Sequence, residues 1–162
     1  MSGINSLQKG GVDFLIMAAN SPHAVYDELT QRTEIPILSI VEATANKALE
    51  MRLNKLLLIG IKFTMQSSFY QRIFQNSNMQ VITPEDIEQD LIDKIIFDEL
   101  VIGKFKDDNK QKLLNIIHNY KVDGVILGCT ELPLILHKND TNTTLLDTIK
   151  IHVEAALKYA MM

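Results

Sequence analysis

Val125-Ile126-Leu127-Gly128-Cys129-Thr130-Glu131-Leu132-Pro133 is the stretch from which the rest of the chain can be read. A short apolar run stops at Gly128, the only cysteine follows, and Pro133 suits the opening of a helix. A buried strand ending there places a thiol at the carboxyl edge of a sheet, facing the free N–H groups of the next helix. Such a corner attracts an anion and is expected to lower a thiol pKa. A second, less regular corner lies at Ala18-Ala19-Asn20-Ser21-Pro22-His23.

Outward from this corner the chain alternates apolar runs with helical stretches. Residues 4–9 predict the end of a helix stopped by Gly10-Gly11, and Asp13–Met17 a short buried strand. Ser21 is the expected N-cap of a helix that starts at Pro22 and runs to about Thr33. Ile35–Ile40 follows as an extended segment and Val41–Met51 as a helix. Lys55–Gly60 is the clearest strand, followed by a loop over Ile61–Thr64 and a helix over Met65–Gln75. Met79–Ile82 predicts a strand, and Pro84 with Glu85-Asp86 opens an acidic helix reaching Leu100 or Val101. A helix over Asp107–Tyr120, a strand over Gly124–Leu127, a short helix after Pro133, a polar loop over His137–Thr144 and a final helix over Thr148–Met161 complete the series.

Strands separated by helices imply βαβ units and a mostly parallel α/β sheet. The unbroken apolar run Leu56–Ile59 agrees, because a parallel sheet is covered on both faces. Ligands bind such sheets outside the carboxyl ends of the strands. That directs attention to three loops: Ala18–Pro22, Ile61–Thr64 and Gly128–Glu131.

The bulk properties exclude several function classes. The 162 residues suffice for one domain or two small lobes, and the formal charge of −4 is spread without blocks. With no basic stripe, nucleic acid and anionic membrane are not expected partners. No apolar run approaches the roughly 18 residues of a membrane span, and the polar start from Met1 to Gly10 lacks a signal-peptide core. A single cysteine permits no internal disulfide and suggests a reducing, cytoplasmic setting.

Taken together, Asn20-Ser21-Pro22-His23, Leu58-Ile59-Gly60 through Thr64-Met65 and Phe69-Tyr70, and Leu127-Gly128-Cys129-Thr130-Glu131-Leu132-Pro133 resemble the aspartate/glutamate/hydantoin racemase family, in its cofactor-independent aspartate racemase branch. Leu146-Asp147-Thr148 and Ile151-His152-Val153-Glu154-Ala155-Ala156 fit the end of such chains. The resemblance implies two pseudo-symmetric Rossmann-like α/β lobes with the site between them. Here these would be residues 1–53, with the terminal helix of 147–162 packed back on them, and residues 54–146. It also implies a thiol on each side of a substrate α-carbon, one removing the proton and the other returning it from the opposite face. A thiol of pKa ~8.5 can be tuned for either task. No metal or pyridoxal cofactor is then expected.

The sequence departs from the family pattern twice. The first family cysteine falls on Ala19, which has no proton to give, so Cys129 alone remains of the pair. The resemblance also begins part-way through the first lobe, after an opening βαβ unit of about 30 residues, so that lobe is expected to be incomplete. Unpaired strand edges and uncovered apolar faces would then favour a homodimer or higher oligomer.

Each candidate residue has a plain alternative. Cys129 could be a small buried hydrophobe. Thr130 and Glu131 could merely open a helix, although by resemblance Thr130 offers a hydroxyl or amide to a substrate carboxylate and Glu131 orients the site. Asn20 and Ser21 could be turn and cap residues, yet by resemblance they meet the α-carboxylate and amino group of the substrate. Thr64 holds a carboxylate by resemblance, or caps the helix that begins at Met65, or does both. Lys62 and Lys104 read as solvated, and His23 and His152 as structural. Three functions stay open: an amino-acid racemase impaired by the loss of one thiol, a single-thiol decarboxylase of malonate derivatives, and a non-catalytic binding or remnant protein.

Overall fold

A computed structural model describes residues 2–162. Helix α1 (Ser2–Lys9) leads through Gly11, at φ +75°, to β1 (Leu15–Ile16). A 3-10 turn over Ser21–Val25 and α2 (Tyr26–Thr30) then precede β2 (Ile37–Leu38), which pairs parallel with β1. Helix α3 (Ile40–Glu50) is capped by Ser39, whose hydroxyl accepts the Glu42 N–H at 3.2 Å.

The larger sheet follows, built from β3 (Lys55–Ile59), β4 (Gln80–Ile82), β5 (Gly124–Leu127) and β6 (Thr144–Asp147). It is four-stranded and parallel throughout, in the order β4-β3-β5-β6. Its connections carry α4 (Lys62–Gln66), α5 (Phe69–Gln75), α6 (Asp86–Asp98) and α7 (Asp107–Asn119), and α8 (Thr148–Ala160) closes the chain. Helix α6 opens on a reciprocal capping box between Glu85 and Glu88. At the amino ends of the two central strands, β3 and β5, Asp123 accepts the N–H groups of Asn54 and Lys55 at 2.9 and 2.8 Å.

Alternation along β3 divides the core. Leu57 and Ile59, with Val125 and Leu127 of β5, pack under Ile92, Ile96, Leu113 and Ile117 of α6 and α7. Leu56 and Leu58, with Ile126 and Leu146, meet Ile40 and Val41 of α3, Tyr70 and Phe74 of α5, and Ile151 of α8. Each such side chain contributes about 1.5–3 kcal/mol by leaving water. Both faces of the sheet are therefore covered, as its unbroken apolar strands demand.

Several local expectations are corrected. The Pro22 helix is a 3-10 turn followed by five α-helical residues, and no side chain caps it, so Ser21 is not an N-cap. The single helix expected over Met65–Gln75 is two pieces broken at Ser67-Ser68, and the loop expected over Ile61–Thr64 is mostly α4. Thr64 lies inside α4, whose N-cap is Ile61, so it caps nothing. The polar loop ends in β6, whose two leucines, Leu145 and Leu146, are too short a run to show a period. After Pro133 there is no helix, only a 3-10 turn over Leu132–Leu134.

Candidate active site

The order β4-β3-β5-β6 sends the chain from β3 to one side and then back across to the other. The switch point lies between the carboxyl ends of β3 and β5, where open parallel sheets bind ligands. Gly60 and Gly128 end these strands, and the Gly128 N–H donates to the Ile59 carbonyl at 2.7 Å. A Cβ at Gly60 would lie 2.9 Å from the Gly128 carbonyl oxygen, and one at Gly128 3.0 Å from that of Ile59 and 2.8 Å from a Leu58 methyl. Only glycine permits this approach, and it brings the loops that follow the two strands together.

Thr64 enters from α4 at this point, its methyl 3.5 Å from where a Gly128 Cβ would stand. The residue is 1% exposed, and its hydroxyl has no hydrogen-bond partner among the described residues. A buried hydroxyl without a partner costs free energy of order 1–3 kcal/mol, which a ligand acceptor could recover.

Cys129, half-buried, donates its thiol proton to the Glu131 carboxylate at 2.9 Å, and the Thr130 hydroxyl donates to the same oxygen at 2.7 Å. Burial, and then the bond to Glu131, push the thiol up to about 12, while backbone N–H groups of Glu131 and Thr130 pull the other way with less effect. This corrects the expectation of a lowered thiol pKa. The cause is local: a three-residue 3-10 turn, not a helix, follows the cysteine, and an acidic side chain folds over the sulfur. Burial raises the Glu131 pKa, but the bonds from Cys129 and Thr130 outweigh it, so the carboxyl is held below its ordinary range. In the resting site the proton sits on sulfur and the charge on Glu131.

The loop with Ala19, Asn20 and Ser21 joins this corner through buried hydrogen bonds. Asn20, 3% exposed, donates from Nδ2 to Thr148 Oγ1 at 3.1 Å, and Thr148 donates to the Leu127 carbonyl at 2.9 Å. Tyr70 donates its hydroxyl to Asn20 Oδ1 at 2.5 Å. Among the described residues the Ser21 side chain has no hydrogen-bond partner. His23 is buried and holds the loop from behind, its Nδ1 bonded to the Ala19 carbonyl and its Nε2 accepting the Ile40 N–H, both at 3.0 Å. Since Nε2 must accept, the ring is neutral, and burial pulls its pKa down to about 4. His152 lies edge-on to it, 6.1 Å between centroids, and bonds the Leu38 carbonyl.

The structure thus gathers Cys129, Thr130, Glu131 and Thr64 at the switch point and ties Asn20 to the end of β5. Lys62 is engaged elsewhere, paired with Asp90 while its backbone N–H donates to Asp93. Tyr70 and Thr148 stand among the residues that carry the family resemblance, but sequence reasoning gave neither a role in the site. Their signal was weak: Tyr70 sits in an aromatic helix face with Phe69 and Phe74, and Thr148 looks like any first residue of a helix. Two open clefts lie elsewhere, one between α3 and α8 and one of about 790 Å³ along β6, and neither is lined by Cys129.

Comparison with known proteins agrees with this architecture. The family described as Asp/Glu/hydantoin racemase matches residues 1–156. The broad specificity amino-acid racemase RacX of Bacillus subtilis is 26% identical over 155 residues, covering 91% of this chain and 65% of that protein. Glutamate racemase of Exiguobacterium sibiricum is 26% identical over 134 residues, covering 82% of this chain and 49% of the enzyme. The chain therefore spans half to two thirds of the length of these curated relatives. A crystal structure of an aspartate racemase homologue from Pyrococcus horikoshii superposes with a TM-score of 0.89 at 34% identity, covering 98% of this chain and 71% of that one. By sequence profile and by fold alike, this chain belongs to the Asp/Glu/hydantoin racemase family.

Proposed function

We propose that the protein takes a small acidic amino acid at the switch point and moves a proton at its α-carbon with a single thiol, Cys129. The observation that carries this reading is the bond from Cys129 Sγ to Glu131 at the end of β5, with Ala19 on the neighbouring loop. Glu131, 2.9 Å from the sulfur, holds the thiol in place and can accept its proton. The thiolate so formed takes the α-hydrogen, and the same sulfur returns a proton to the same face. Thr64, Ser21 and Thr130 supply hydroxyls and Asn20 an amide for the substrate's carboxylate and amino groups. Ala19 stands where a second thiol would serve the opposite face, so inversion depends on water or on another donor there. The site requires neither metal nor organic cofactor for this chemistry.

The test is solvent exchange. In deuterium oxide, wild-type protein should place deuterium at the α-carbon of aspartate or glutamate faster than it interconverts the enantiomers, and Cys129→Ser should abolish the exchange. Undiminished exchange in Cys129→Ser would sink the assignment.

A second reading draws on the proton resting on sulfur. A lone protonated thiol suits delivery of a proton to one face of a carbanion left by loss of carbon dioxide. Release of carbon dioxide from an aryl-substituted malonate, without exchange of aspartate, would favour it. Calorimetry showing tight binding of D- or L-aspartate with neither reaction would favour a binding module.

We also infer self-association. Leu7 of α1, Ile16 of β1 and Val153 and Leu157 of α8 are each more than 40% exposed, and among the described residues β1 has a partner on one side only. No helix among the described residues is long and apolar enough to cross a membrane.

A further inference from the structure

We propose that Thr148 and Tyr70 are positioning residues that lock the Asn20 side chain in one orientation, leaving it an uncommitted N–H donor beside the Cys129 corner. The inference rests on the reading of that corner as a substrate site and deepens it.

Leu127 O has no hydrogen to give, so the Thr148 hydroxyl, 2.9 Å away, must spend its single proton on it. Thr148 Oγ1 can then only accept from Asn20, 3.1 Å away, and must face the amide nitrogen. That turns the amide oxygen to the opposite side, where the Tyr70 hydroxyl donates to it at 2.5 Å. Thr44, beside the Tyr70 hydroxyl, gives its own proton to the Ile40 carbonyl at 2.7 Å and so has none to offer Tyr70, whose proton goes to Asn20. Polarity therefore runs one way, from Tyr70 through Asn20 and Thr148 to Leu127.

Four separate parts of the chain contribute: α5, the 19–22 loop, the first residue of α8 and the last residue of β5. Tyr70 and Thr148 are fully buried and Asn20 nearly so, so water does not substitute for any link. Asn20 Nδ2 carries two protons and the relay uses one. The second has no partner among the described residues and remains for a ligand. At that point the site accepts a carboxylate or another acceptor.

The relay can be tested without activity by Asn20→Asp, which keeps the shape and removes the donor. An ionised carboxylate would set two acceptors against each other at Thr148, whereas the protonated carboxyl could still donate. The introduced group should thus have a folded pKa above its unfolded value of about 3.9. Its stabilising contribution is then full below the unfolded pKa and lost as pH rises through the folded one. The melting temperature of the variant should fall further below wild type at about pH 8 than at about pH 5. Subtracting the wild-type curve removes the titration of His23 and His152; Tyr70 stays protonated throughout. A deficit that does not change with pH would overturn the assigned polarity.

If that variant does not fold, Thr148 decides. Thr148→Ser keeps the hydroxyl and should retain wild-type affinity for aspartate in calorimetry, whereas Thr148→Val should lose about tenfold, the loss of one hydrogen bond to a charged group. Tyr70→Phe should weaken binding while the protein stays folded. Equal affinity in Thr148→Ser and Thr148→Val would contradict the relay. Failure of wild-type protein to bind either enantiomer of aspartate would instead defeat the substrate reading, and the pH comparison would still judge the relay.

Discussion

At the scale of single residues the decisive pair is Cys129 and Glu131. A thiol pushed up to about 12 by burial and by an adjacent carboxylate is almost wholly protonated at neutral pH. Cys129 should therefore react with iodoacetamide at about pH 8 at least roughly a hundredfold more slowly than free cysteine. Glu131→Gln removes the charge that disfavours thiolate and should speed that reaction about tenfold. Wild-type reaction as fast as free cysteine would contradict the assigned bond. The position of this cysteine was legible in the sequence, because an apolar run ended by Gly128 marks a strand end. Its protonation was not. That depends on the Glu131 side chain folding back over the sulfur and on a turn where a helix was expected, neither of which has a sequence period.

At the scale of elements the site exists because two strand ends nearly touch. Gly128→Ala would drive a methyl against the Ile59 carbonyl and a Leu58 methyl, and should cost about 1–3 kcal/mol in urea unfolding. An unchanged midpoint would show that the strands can part. The strands β3 and β5 and helices α3, α6 and α7 were legible because their apolar residues recur over many positions. What escaped notice was set by tertiary contact. The edge strand β6 owes its conformation to pairing with β5. The break between α4 and α5 at Ser67-Ser68 follows no strong breaker. Tyr70 and Thr148 gain their roles only when α5, α8 and β5 meet.

At the scale of the whole molecule, two buried histidines shape the response to acid. His23 is held neutral by an acceptor role toward Ile40, with its pKa near 4, and the His152 pKa is also lowered, by burial. Because the folded pKa lies below the unfolded value of about 6.5, stability is full above that value and declines as pH falls toward 4, by up to about 3 kcal/mol from His23. Chemical unfolding followed between these pH values should show that decline, and His23→Gln should flatten it. Exposed apolar residues on α1, β1 and α8 predict a dimer or larger assembly in light scattering, and a clean monomer would count against it. The central claim is that one thiol works here without its counterpart, and Ala19→Cys tests it most directly. Followed by polarimetry with aspartate, the substitution should raise racemisation at least about tenfold over wild type, since general acid–base groups contribute roughly 10²–10⁴-fold. The gain should vanish when Cys129→Ser is added. No gain from Ala19→Cys in a folded protein that binds aspartate would contradict the account.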